Sequence, residues 1–90
     1  MADLKSFAVS FGWRFYHPFL SMHSERGFPD VVLTRDRIIF AELKRVGGKP
    51  TATQTEWLDA LRAAGGEAYL WTADDWPEIV HVLTGKAVIG

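Results

Sequence analysis

The chain predicts an α/β fold: an αβββαβα core with a mixed central sheet flanked by helices. Three observations carry this. Apolar residues recur at helical spacing in three stretches, near residues 2–11, 51–64 and 75–83. Short apolar runs between the first and second of these, Val31–Thr34 and Ile38–Leu43, read as strands. A further run, Glu67–Thr72, follows the second helical stretch. A helix between two strands is the connection that parallel pairing needs, and such crossovers are right-handed, so this last strand should run parallel to Ile38–Leu43.

Each element has its own justification. In Ala2–Phe11, Leu4, Phe7, Ala8 and Phe11 stand at i, i+3, i+4 and i+7, one apolar stripe. Asp3 is placed to cap this helix and Gly12 to end it. Trp13–His17 reads as a strand, with Trp13, Phe15 and His17 on one face and Arg14 and Tyr16 on the other. Pro18–Phe28 is a loop, and its Phe19, Leu20 and Met22 are an unusual apolar group for one. They either pack over the sheet or form an oligomer interface. Pro29 fixes its own φ and so defines the approach to the next strand.

Val31 and Leu33 fall on one face of the following hairpin, and Val32, Ile38 and Phe40 on the other. A sheet apolar on both faces needs cover on both sides. Arg45–Pro50, RVGGKP, is a flexible basic turn, and no phosphate-loop pattern surrounds its glycine pair. The second helix starts at Thr51 or Thr53, because Thr51-x-x-Gln54 and Thr53-x-x-Glu56 both fit a capping box. Trp57, Leu58, Leu61 and Ala64 form its buried stripe, and Gly65-Gly66 ends it. Asp75 should cap the last helix, with Pro77 in the first turn, Glu78 at the box position and Trp76, Ile79, Val80 and Leu83 inward. Lys86–Gly90 is apolar enough for a short edge strand or an arm to a partner.

Ninety residues make one domain, 1–90, with a modest core. The absence of cysteine excludes disulfides and thiolate metal sites. No run resembles a signal peptide or is long enough to span a membrane, so a cytoplasmic protein of a bacterial cell or a phage-infected host is expected. Net charge is −1, but it is unevenly placed. Residues 1–50 hold eight basic against five acidic side chains, a net of +3; residues 51–90 hold two against six, a net of −4. The basic half is the half with the candidate site, which suits an anionic partner; a chance asymmetry of a solvated surface is the alternative.

That site is built from Asp30, Glu42 and Lys44. Period-two alternation puts Glu42 and Lys44 on one face of their strand. Asp30 joins them only if the hairpin register allows it. A two-residue loop at Arg35-Asp36 would pair Asp30 with Ala41 and turn Glu42 away. A three-residue loop, Arg35-Asp36-Arg37, pairs Asp30 with Glu42. The sequence lacks the Asn-Gly or Asp-Gly of a two-residue turn, so the longer loop, or a bulge restoring the same register, is expected. Two acids on one face can hold Mg²⁺ (or Mn²⁺), and a lysine beside them can meet a phosphate or an attacking water. In the loop before the strand, Ser24 and Arg26 are candidates for phosphate contact. Arg45 and Lys49 belong either to a DNA-contacting loop or to a plain connector. His17 and His23 do not suffice for a zinc site.

The ordered set Gly27-Phe28-Pro29-Asp30, Ala41-Glu42-Leu43-Lys44 and Gln54-x-x-Trp57 resembles the VRR-NUC family of the PD-(D/E)XK nuclease superfamily, in its stand-alone phage and bacterial form. Gly12-Trp13-Arg14, Tyr16-His17 and Tyr69-x-Trp71 also fit, so the resemblance covers nearly the whole chain. It implies a restriction-endonuclease-like core and a metal-dependent endodeoxyribonuclease. It implies that Asp30, Glu42 and the Leu43 backbone carbonyl bind the metal and that Lys44 serves catalysis. It further implies that Gln54 reaches the site, that Trp57 anchors its helix on the sheet, and that His17 contacts DNA or borders the site. Stand-alone members resemble Holliday-junction resolvases working as homodimers, which implies branched DNA, a four-way junction, as substrate. The family usually carries a glutamate more than a turn before the position of Met1; here it is absent, trimmed away, or replaced by Asp3. The alternatives are a DNA-structure-binding module with lost or incidental nuclease activity, and a small scaffold whose charges are surface solvation.

Overall fold

The structure, a computed structural model, describes residues 3–17 and 26–85. Its elements are α1 (Asp3–Ser10), β1 (Arg14–Tyr16), β2 (Val31–Thr34), β3 (Ile38–Leu43), α2 (Ala52–Ala63), β4 (Glu67–Trp71), a 3₁₀ turn (Ala73–Asp75) and α3 (Trp76–Thr84). The sheet order is β1-β2-β3-β4. β1, β2 and β3 pair antiparallel in succession, and β4 pairs parallel with β3 across the α2 crossover. The predicted order and the mixed sheet both hold.

One face of the sheet carries the main core. Val31, Leu33, Ile39, Ala41 and Trp71 point to it, and Leu4 and Ala8 of α1 and Ile79 and Leu83 of α3 close over it. All of these are fully buried. Each large aliphatic side chain sealed there stabilises the fold by roughly 1.5–3 kcal/mol. Trp13 pins the two helices together, since its indole N–H donates to the Leu83 carbonyl at 2.9 Å. The opposite face is thinner. Phe28 packs edge-on against Phe40 and against Trp57 of α2, with ring centroids 6.0 and 5.1 Å apart. Leu58 and Ala68 are buried there, whereas Tyr16 and Ile38 stay exposed.

Several expectations need correction. Ala64 is exposed, being the C-cap past the end of α2, and Leu61 is only half-buried. Phe11 lies past the end of α1 and is exposed. Asp3 stands inside the first turn of α1 rather than ahead of it as a cap. Asp75 stands at the N-cap position of α3, but its side chain makes no capping hydrogen bond there. Thr72 caps the preceding 3₁₀ turn instead, and the Asp75 carboxylate turns back to accept from the Thr72 N–H at 2.8 Å. In the basic turn a Gly48 N–H to Arg45 carbonyl bond of 2.8 Å closes the chain and Gly47 takes φ +82. The apolar group Phe19, Leu20 and Met22 and the tail Lys86–Gly90 lie outside the described residues.

Candidate active site

The hairpin register decides whether the site exists. Thr34 pairs with Ile38 and Val31 with Ala41, so the loop is Arg35-Asp36-Arg37 and the next pair outward is Asp30 with Glu42. The three-residue loop is therefore present, and both carboxylates share the face that carries Phe40. The Arg35 N–H to Arg37 carbonyl bond, at 3.2 Å, closes the loop.

Two neighbours hold the pair. Asp30 Oδ2 accepts from the Leu43 backbone N–H at 3.0 Å. Glu42 Oε1 accepts from the Gln54 side-chain amide at 3.2 Å. Gln54 reaches Glu42 because it also completes the capping box of α2. Its Oε1 accepts from the Thr51 N–H at 2.9 Å, and its own N–H donates to Thr51 Oγ1 at 3.1 Å. With the amide oxygen committed to the cap, the amide nitrogen has to face Glu42. Capping and site contact, alternatives in the sequence, are one arrangement.

Glu42 is a buried polar side chain on the thinner face, only 1% exposed, and its Oε2 has no hydrogen-bond partner. Burial pushes its carboxyl up to about 8, helped by the facing Asp30 carboxyl, while Lys44 acts in the opposite direction. Lys44 thus lies close enough to be felt electrostatically. Its backbone N–H donates to the Trp71 carbonyl at 2.9 Å, extending the β3–β4 ladder one residue past the strand.

The donor set fits a small hard cation. It is all oxygen, one carboxylate oxygen is buried without a donor, and Glu42, raised to about 8 by burial and by Asp30, would give up its proton to a divalent ion. Groups of three or more acids, histidines or cysteines do not occur among the described residues, so Asp30 and Glu42 would supply the side-chain ligands there.

The other nominated residues are more scattered. His17 is exposed, one residue past β1. Arg26 is exposed, and its carbonyl accepts from the Trp57 indole N–H at 3.1 Å. Arg45 and Lys49 are exposed on the turn leaving Lys44. Ser24 lies outside the described residues. Two cations of the basic half do not accompany the site. Arg35 and Arg37 sit at the far end of the hairpin, where both lie over the Trp13 ring at 4.9 and 5.2 Å. Arg35 donates to the Phe11 carbonyl, and Arg37 to the Val82 carbonyl and Glu67. Sequence reasoning missed this use. No local pattern marks it, because the partners Phe11, Glu67 and Val82 stand 24, 30 and 45 residues away along the chain.

Neither a protein-family model nor a curated protein sequence matches the chain. Among solved structures it is similar to a VRR_NUC domain protein, with a TM-score of 0.66 and 15% identity over 93% of this chain and 87% of that one. It is also similar to Hjc of Archaeoglobus fulgidus, a Holliday junction resolvase from an archaeal hyperthermophile. That likeness has a TM-score of 0.56 and 24% identity, and covers 80% of this chain and 64% of the other. With its mixed four-stranded sheet, three helices and the strand order above, the chain has a VRR-NUC-like fold.

Proposed function

We propose that the protein is a divalent-metal-dependent, structure-selective DNA endonuclease that cuts four-way junctions as a homodimer. The observation that carries this is the Asp30–Glu42 carboxylate pair, set face to face by the hairpin register, with Glu42 buried and one of its oxygens lacking a donor, and with Lys44 near enough to act on it. The likeness to a VRR_NUC domain protein and to a junction resolvase supports it.

Asp30, Glu42 and the Leu43 carbonyl would hold Mg²⁺ or Mn²⁺. Such an ion, when bound, polarises a phosphate and lowers the pKa of water. The chain's own residues do the rest. Lys44 orients the attacking water or offsets the charge that develops on the phosphoryl oxygens. Gln54 keeps Glu42 turned toward Asp30 and helps place the nucleophile. Water oxygen attacks phosphorus in line, the bond to the 3′ oxygen breaks, and that oxygen takes up a proton. The products are a 5′-phosphate and a 3′-hydroxyl. His17, Ser24, Arg26, Arg45 and Lys49 supply DNA contacts, with affinity resting on backbone charge and branched shape. A two-fold pair of sites suits paired cuts in a four-way junction. Among the described residues no helix is long and apolar enough to cross a membrane, and a cytoplasmic site of action is part of this proposal.

Labelled four-way junction and linear duplex, incubated with Mg²⁺, Mn²⁺ or EDTA, test the reading. Symmetric, metal-dependent cuts in the junction, lost in Lys44→Ala, are expected. A second reading, junction binding without cleavage, draws on a cluster that offers only two carboxylates among the described residues. Tight binding with no cut under any metal would decide for it.

A further inference from the structure

We infer that the N-terminal half of α2 is a two-point clamp on the carboxylate pair, and that Trp57 is a positioning residue for Asp30. The inference rests on the metal-site reading above. Gln54 is the clamp's hold on Glu42, at 3.2 Å. The hold on Asp30 is indirect and runs through the segment Arg26–Pro29. Trp57, one turn after Gln54, donates its indole N–H to the Arg26 carbonyl at 3.1 Å. Gly27 then lies flat against α2. A Cβ there would stand 2.6 Å from Thr53 Cγ2 and 2.8 Å from the Thr53 carbonyl carbon and oxygen. Its φ of +85 adds a second reason for glycine at this position.

Every link from this contact to Asp30 is stiff. Phe28 is held between Trp57 and Phe40. Pro29 is buried and has a fixed φ. Asp30 follows, tied to the Leu43 N–H. The backbone that presents Asp30 therefore takes its position from α2, the helix that also orients Glu42. Separation of the two carboxylates is set by one rigid element rather than by two independent loops. Tight metal binding depends on such support behind the ligands.

Trp57→Phe keeps a ring against Phe28 and removes the N–H. Arg62→Ala is the matched control: it removes another α2 tether, the bond from Arg62 Nε to the Ala68 carbonyl at 2.9 Å, beyond the clamp. Mn²⁺ binding is measured by calorimetry and by electron paramagnetic resonance, with thermal unfolding of the metal-free proteins alongside. Trp57→Phe should weaken Mn²⁺ binding about fivefold, the effect of one lost hydrogen bond. Arg62→Ala should leave Mn²⁺ affinity at the wild-type value while lowering Tm by a comparable amount. Equal Mn²⁺ affinity in wild type and Trp57→Phe overturns the inference and leaves the metal site standing. Equal weakening in both variants also overturns it, because the effect is then general loosening of α2. Wild-type protein that binds no Mn²⁺ removes the metal site and this inference together.

Discussion

The two ends of the β2–β3 hairpin hold similar numbers of charges and treat them in opposite ways. At the loop end, Arg35 and Arg37 are fully committed. Arg37 meets Glu67 and the Val82 carbonyl, Arg35 meets the Phe11 carbonyl and Asp36, and both lie over Trp13. At the open end, Glu42 is more deeply buried than either arginine and holds a carboxylate oxygen with no donor. The loop end fastens α1, α3 and β4 to the hairpin, whose three-residue loop sets its register. The open end is a charged arrangement that the fold tolerates at a cost. Buried groups left short of partners are uncommon in folded proteins, and those that persist point to a ligand or a reaction.

Substitutions at the two ends should therefore fail differently. The largest effect belongs to the open end. Lys44→Ala or Asp30→Asn should lower junction cleavage by roughly 10²–10³-fold or more, read from single-turnover rates, with thermal unfolding nearly unchanged. Equal losses of activity and Tm would erase the contrast. Next comes stability against pH. Glu42 in the metal-free fold is raised to about 8 from an ordinary 4.5, so the folded state holds a proton that the unfolded state releases. That contribution to stability is present below about 4.5 and lost as pH rises through about 8. Glu42→Gln, which cannot ionise, should unfold at a higher temperature than wild type at pH 9 without metal, and the gap should close toward pH 5.

At the loop end the expected effects are on folding alone. Arg37→Ala should cost about 1–2 kcal/mol by denaturant unfolding, since it leaves the Val82 carbonyl without its donor and loses a half-exposed ion pair worth little in water. Its metal affinity and junction specificity should match wild type. Arg35→Ala, whose carbonyl bond is longer at 3.0 Å and whose ion-pair partner Asp36 is more exposed, should cost less, about 0.5–1 kcal/mol. A metal-binding defect in Arg37→Ala would mean that the loop also tunes the carboxylate register.

Much of this contrast could be read in the chain. Helical stripes and period-two runs located the elements, and the missing Asn-Gly turn chose the three-residue loop that brings Asp30 opposite Glu42. The Thr51-x-x-Gln54 spacing showed the cap. What could not be read depends on distant contacts. Nothing local marks Arg35 and Arg37 as partners of helix C-terminal carbonyls, or Trp57 as a donor to Arg26. The capping signal at Asp75 was overridden because Thr72, three residues earlier, captured its carboxylate. Ala64 looked inward by periodicity, but α2 ends at Ala63 and Ala64 is its exposed C-cap.

The central claim is that Glu42, facing Asp30, carries a proton which a divalent cation replaces. Calorimetric titration of the protein with Mn²⁺ at pH 7, repeated in buffers of different ionisation enthalpy, measures the protons released on binding. The account predicts one ion per chain and close to one proton released per ion, as expected for a ligand carboxyl still protonated near neutrality. Asp30→Asn and Glu42→Gln should abolish both. Binding without proton release, or equal binding in the two variants, would contradict it.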